Sequence, residues 1–300
     1  MQAPNNKAKT TAMRDGVGAS SVLLPVGPWP RLLDFLVERF AAISADVWRA
    51  RMQRGLVLDA AGNPLAPDAA YVAGATIHYY RELEHEHEIP FEAQVLYRDA
   101  HLLIADKPHF LPVVPSGRFV QQTLLVRLKR ETGVDGLAPL HRIDRATAGL
   151  VAFSLDPATR GRYQSLFAQR SIEKRYEALA PKCAACRFPF TRHTRIVRGE
   201  PFFLSAEADG APNSETVFES AEADGALALY RLRPLSGKKH QLRVHMAAIG
   251  VPIENDPLYP VLRDDLADDY TKPLKLLARS LAFVDPLSGE HRYFESRRTL

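Results

Sequence analysis

From residue 31 onward apolar side chains recur every three to four positions. Leu32, Leu33, Leu36 and Phe40 predict a helix with one buried face. Ser44 then offers an N-cap to a second short helix through Trp48 and Met52, and Gly55 offers its stop. The pattern changes after that. Residues 56–58 and 75–80 read as strands, with a turn at Gly62-Asn63-Pro64. Further along, residues 95–97, 102–105 and 150–155 are short apolar strands. Asp156-Pro157 opens a helix carrying Tyr163, Leu166 and Phe167. Residues 172–180 alternate, which puts Tyr176 on the same strand face as Ile172 and Ala178. Leu242, His245, Met246 and Ile249 follow helical spacing, and Gly250 and Pro252 end that helix. Strands and helices alternate without a strict βαβ rhythm, so the fold class expected is α+β with a mixed or antiparallel sheet.

The same pattern divides the chain. Residues 1–28 are polar with Gly, Pro and Ser, and are expected to be a disordered tail. Residues 29–81 form a small module of two helices and strands. The charged stretch 82–92, ELEHEHEIPFE, reads as a linker, and residues 93–300 make a larger domain. No run of 18 apolar residues is present, so no transmembrane helix is expected, and the N-terminus lacks the apolar core of a secretory signal. Two cysteines, Cys183 and Cys186, exclude a disulfide scaffold and fit ordinary thiols in a reducing cytoplasm. One Cys pair and the His85-x-His87 pair are both too few ligands for a structural zinc site, so no metal is expected.

Charge is unevenly spread. The net is +4 over 300 residues. Residues 101–200 hold 17 Lys/Arg against 8 Asp/Glu, while each outer third is slightly acidic. The excess is densest in residues 160–198. Clustered cations of this kind suit a polyanion, because they release condensed counterions from phosphates. Two polar clusters carry candidate chemistry. In PLHRIDRATAGLVAF, Asp144 is flanked by His141, Arg142 and Arg145. A carboxylate held ionised among cations can act as nucleophile or base. In SGKKHQLRVH, Lys238, Lys239, His240 and Arg243 sit at a helix start behind a glycine, a setting suited to an anion.

Taken in order, these segments carry a resemblance. VLYRDAHLLIADKPHFLPVVP, LHRIDRATAGL, SIEKRYEAL, SGKKHQLRVHMAAIGVPIENDPLY and LKLLARSLAFVDP resemble successive motifs of the RluA-type family of RNA pseudouridine synthases. RLLDFLVERFAAIS and the segment following it resemble the RNA-binding domain first described in small-subunit ribosomal protein four. The chain departs from the family pattern at Ala148, where serine is usual, and at Leu277 and Asp285, where histidines are usual. Asn255 and Pro260 stand where glycines are usual.

The resemblance implies a cofactor-free isomerase that converts uridine in ribosomal or transfer RNA to pseudouridine. Asp144 would be its catalytic aspartate, Tyr176 its active-site tyrosine and Arg243 the arginine paired with Asp144. Arg142 would fill the space left when the target uridine leaves its stack. Arg145, Lys174, Lys238, Lys239 and His240 would contact RNA, as would Arg49, Arg51 and Arg54 of the N-terminal module. The partner expected is RNA alone, with no membrane and no obligatory protein partner, for a cytoplasmic monomer. Two other classes are kept open by the residues: a non-catalytic RNA-binding or RNA-folding factor on the same fold, and a nucleosidase using Asp144 to hydrolyse.

Overall fold

The computed structural model describes residues 13–83, 85–263 and 267–300. The chain forms two compact units, Met1–Glu86 and His87–Leu300. The first contains β1 (Ser20–Leu23), α1 (Leu32–Arg39), α2 (Ala45–Gln53), β2 (Val57–Leu58) and β3 (Thr76–Tyr79). Ser44 caps α2 by accepting a hydrogen bond from the Val47 amide, and Gly55 takes the left-handed conformation that ends it (φ 65°). Leu32, Phe35, Leu36, Trp48, Met52 and Ile77 close one small core. The expected tail needs correcting. Residues 13–28 are structured: β1 pairs antiparallel with β3, and Leu24 and Val17 are buried. Two or three inward apolar residues among Gly, Ser and Pro are too few to register as a strand pattern. Residues 1–12 of that segment lie outside the described residues.

The second unit runs β4 (Gln94–Arg98), β5 (Leu102–Lys107), α3 (Leu124–Thr132), β6 (Ala138–Pro139), β7 (Ala148–Ser154), α4 (Arg160–Ala168), β8 (Glu173–Pro181), β9 (Phe190–Arg198), β10 (Ser205–Ala208), β11 (Ser214–Asp224), β12 (Leu227–Pro234), α5 (Gln241–Ala248), β13 (Leu276–Val284) and β14 (His291–Glu295). Among the described residues these strands build an 11-stranded sheet in the order β10-β9-β11-β12-β8-β13-β7-β5-β4, with β6 on β7 and β14 on β13. Every pairing in it is antiparallel except β13 with β7. The sheet is thus mixed, as the α+β reading required. The helices cover it in patches. Leu124 and Leu128 of α3 pack with Val151 and Phe153 of β7, Tyr163 of α4 with Leu150, and Leu242 and Met246 of α5 with Tyr230 and Leu232 of β12. The end of the expected linker is docked rather than free. Ile89 is buried in the α3 core, and Arg127 of α3 donates to the carbonyls of Ile89 and Phe91.

One strand makes the sheet continuous. β13 lies between β8 and β7, so it alone joins the β4-β5-β7 group to the β8–β12 group. Its parallel contact with β7 is close. At Gly149 (φ +109°) a Cβ would fall 2.2 Å from the Ala278 carbonyl oxygen and 2.7 Å from its nitrogen. Only glycine fits there, both for conformation and for space.

A second correction concerns the cysteines. Cys183 and Cys186 are joined in a disulfide within the β8–β9 connection. The turn brings their Cα atoms to 5.3 Å, inside the range that geometry requires. No helix among the described residues is long and apolar enough to cross a membrane.

Two histidines, His245 buried and His141 half-buried, tie helices to the sheet. His245 of α5 has no exposure and hydrogen-bonds Thr194, Ser214 and Thr216; burial pushes its imidazole down to about 4. His141 accepts from the Ala152 amide and stacks on Phe167 at 4.7 Å, and burial pushes it down to about 3.

Two predictions follow from this packing. Gly149→Ala should cost on the order of 3 kcal/mol or more, because backbone rather than a flexible side chain occupies the space; a denaturant midpoint unchanged from wild type would overturn this. The unfolded chain protonates its histidines near pH 6.5, whereas His141 and His245 in the fold do so only near pH 3–4. Their contribution is therefore complete above pH 6.5 and lost as pH falls from 6.5 toward 4. The thermal midpoint should drop across that window, and less steeply in His245→Asn.

Candidate active site

Asp144 sits in the turn that leads into β7, where the Thr147 amide donates to its carbonyl at 3.1 Å. The turn is held from behind by the last residue of β5 and by a residue just after it. Lys107 is fully buried, and its Nζ donates to the carbonyls of Pro108 (2.9 Å) and Arg145 (3.1 Å). Burial holds the Lys107 ammonium well below its usual range, with the Asp144 charge opposing. His109 donates through Nδ1 to the Ala146 carbonyl at 2.7 Å, and burial pushes it down to about 4. The backbone just after the carboxylate is thereby fixed, while its side chain stays 28% exposed toward a cavity.

Across the cavity α5 presents Arg243. Its Nη1 lies 3.5 Å from Asp144 Oδ2, the pairing expected from sequence. Its principal partner, however, is Asp256, which takes Nε at 2.8 Å and Nη2 at 2.6 Å. Burial works against the guanidinium, but the bonds and charge of Asp256, and then the charge of Asp144, hold its affinity for the proton above the ordinary value. Tyr259 lies under the same guanidinium at 5.3 Å. Asp256 and Tyr259 escaped the sequence reading, although both lie in the same motif segment as Arg243. The neighbouring Asn255 takes the left-handed conformation (φ 61°) in place of the family's usual glycine, which asparagine tolerates better than most residues.

Tyr176 of β8 lines the same cavity. Burial, then the Asp144 charge, pushes its hydroxyl up, so it remains a proton donor rather than a phenolate. His240 stands before α5 in the left-handed region (φ 58°). It hydrogen-bonds the Tyr259 hydroxyl at 2.8 Å, and its Nε2 is 4.0 Å from Asp144 Oδ1. Burial pushes it down to about 4, so it faces Asp144 as a neutral imidazole.

The cavity measures about 890 Å³ and opens to solvent between Asp144, Tyr176, Arg243 and the segment leading into α5. Arg142, Lys238 and Lys239 line it and are exposed. Lys174 also lines it, with its Nζ donating to the Ser236 carbonyl at 3.3 Å. Arg145 is different. Both its terminal nitrogens bind Asp268, at 2.7 and 2.9 Å. Much of the basic stretch 160–198 is also engaged within the protein: Arg192 with Glu207, Arg175 with Glu173, Arg170 with Glu215, and Arg160 with the Gly136 carbonyl. Among the described residues no group of three or more His, Cys, Asp or Glu is placed to hold a metal ion.

In the N-terminal unit the three expected RNA contacts separate. Arg49 pairs with Asp46 and Arg54 with Glu82, and both remain about half exposed. Arg51 is only 6% exposed; it donates to the Glu82 carbonyl and lies over Trp48 at 5.0 Å. It faces the core because it follows Trp48 by three residues on α2, so it is a packing residue and not a contact.

The family described as RNA pseudouridylate synthase matches residues 101–248, which span both Asp144 and Arg243. An RNA pseudouridine synthase of Synechocystis is 28% identical over 232 residues, covering 76% of this chain and 79% of that protein. The human pseudouridylate synthase RPUSD2 is 34% identical over 189 residues, 60% of this chain; the chain spans about a third (34%) of that longer protein. The solved structure of human RNA pseudouridylate synthase domain containing 1 shares the fold, with a TM-score of 0.56, 22% identity, and coverage of 71% of this chain and 86% of that one. Over its larger unit the chain is thus similar to RNA pseudouridine synthases, which are isomerases.

Proposed function

We propose that this chain converts uridine in ribosomal or transfer RNA to pseudouridine, with Asp144 as the nucleophile. The observation that carries the reading is one arrangement. A carboxylate on a fixed turn faces a cavity of about 890 Å³, with Arg243 3.5 Å from it, Tyr176 in the same wall and exposed cations at the rim.

Each part has a role in that reaction. The glycosidic bond must break, the uracil must turn over, and a carbon–carbon bond must form; no redox step is involved. Asp144 attacks the nucleoside at the uracil ring or at the anomeric carbon. Arg243, anchored by Asp256, keeps that carboxylate charged and aimed. Tyr176 offers a ring face to the uracil and a hydroxyl that keeps its proton. The target base must leave its stack to enter, and Arg142, exposed at the cavity mouth, fills the gap it leaves. Lys174, Lys238 and Lys239 hold the phosphates on either side. The N-terminal unit tethers the RNA as a domain similar to that of ribosomal protein four, through Arg49 and Arg54.

Two measurements test this. RNA carrying tritium on carbon 5 of uracil should release tritium to water with the wild-type protein and not with Asp144→Asn, which should still fold and bind RNA. Turnover by Asp144→Asn would remove the nucleophile assignment, and release of free uracil by the wild type would replace the isomerase with a nucleosidase. Replacing Arg49 and Arg54 together with Ala should lower the slope of log affinity against log salt by about 1.4–1.8, at roughly 0.7–0.9 per lost phosphate contact. An unchanged slope would take the N-terminal unit out of RNA binding.

A further inference from the structure

The carboxylate of Asp268 sits beside the Asp144 turn, though 124 residues later in the sequence. It is 12% exposed and receives three N–H groups from two arginines. Oδ1 takes Arg145 Nη2 at 2.7 Å, Oδ2 takes Arg145 Nη1 at 2.9 Å, and Oδ2 also takes Arg118 Nη2 at 3.1 Å. Both guanidinium groups lie over the ring of Phe119, at 5.4 and 5.3 Å. Asp268 is itself fixed from two residues away, because Tyr270 packs edge-on against Phe110 at 5.0 Å and Phe91 at 5.2 Å.

We propose that Asp268 is a positioning residue for the reaction: by holding Arg145 it sets the turn that carries Asp144. This rests on the reading of Asp144 as nucleophile. The turn has three anchors on its downstream side. Two come from the end of β5 and just after it, Lys107 on the Arg145 carbonyl and His109 on the Ala146 carbonyl. They hold main-chain oxygens and leave the turn free to rock about them. The third, the Arg145–Asp268 fork, grips a side chain in a planar two-bond geometry and removes that freedom. The end-on fork of Arg145 is taken by Asp268, and the carboxylate would repel a phosphate brought close. The pair is therefore arranged for geometry rather than for RNA affinity. Arg145 is adjacent to Asp144, so a tilt of its side chain is transmitted directly to the reacting carboxylate. Displacements of about 1 Å at a reacting group cost roughly a hundredfold in rate.

The test is single-turnover tritium release at saturating RNA, with RNA affinity and thermal midpoint measured on the same preparations of the full chain. Asp268→Asn should lower the rate about 10- to 100-fold while affinity stays within about threefold of wild type. Arg145→Ala should give a similar loss, and the double variant should lose no more than the worse single one, as coupled partners do. Asp268→Glu, which keeps the charge on a longer arm, should fold like wild type and recover part of the rate. A wild-type rate in Asp268→Asn, or losses that multiply in the double variant, would overturn the proposal. So would tighter RNA binding as the main effect, since Asp268 would then be a shield over two RNA-binding arginines. Asp144→Asn run alongside separates the two readings. If it is silent while Asp268→Asn is normal, only the positioning role fails; if it turns over, the nucleophile reading fails first.

Discussion

A guanidinium shared unequally between two carboxylates is the constraint around which the larger unit is arranged. Arg243 is almost wholly removed from water, and so is Asp256. Two charges taken out of water cost several kcal/mol each unless each is met by good geometry. Asp256 supplies that geometry to Arg243, and the Leu258 amide supplies it to Asp256 at 2.8 Å. The third nitrogen, Nη1, is then left aimed at Asp144, which keeps a partly exposed edge for a substrate. The fully buried pair sets the position, and the looser contact leaves the Asp144 carboxylate open to the cavity. This division also explains why α5 is so polar on its inner side. Gln241 and His245 are buried with Arg243, and each finds partners on β11, so the helix cannot slide without breaking several bonds at once.

What the sequence made legible was local. The helix of residues 45–53 was readable because Ser44 and Gly55 bracket it, and Asp144 was readable because its cationic neighbours and its motif are contiguous. Tyr176 and Arg243 were legible by motif alone. The unread features all depend on distant partners. Nothing in the spacing of Arg49, Arg51 and Arg54 says which one turns inward until Trp48 has a core to join. The basic stretch 160–198 looks like a polyanion footprint in one dimension, yet Glu207, Glu215 and Gly136 absorb much of it in three. His240 was read as an RNA contact beside two lysines, but in the fold it hydrogen-bonds Tyr259 and burial pushes its imidazole down to about 4. The strand of residues 20–23 was hidden because pairing with β3, rather than its own composition, makes it a strand.

The charge that remains available after these pairings is more concentrated than the composition suggests. Arg142, Lys238 and Lys239 are exposed at the mouth of the cavity, while the neighbouring arginines 118 and 145 are tied to Asp268. The result is a cavity whose rim carries exposed cations and whose deeper wall is made rigid by paired charge. A rigid wall suits a reaction in which a base is detached and turned before it is rejoined, because the groups that meet it must stay still while it moves.

The order in which the strands are made gives β13 a further meaning. Asp144 belongs to the β4-β5-β7 group, Tyr176 and Arg243 to the β8–β12 group, and β13 is the strand that joins the groups within the sheet. Translation delivers both groups before it delivers β13. A nascent chain can therefore carry all three residues and still lack the join that places Asp144 opposite the other two. Assembly of the proposed site is therefore tied to completion of the sheet.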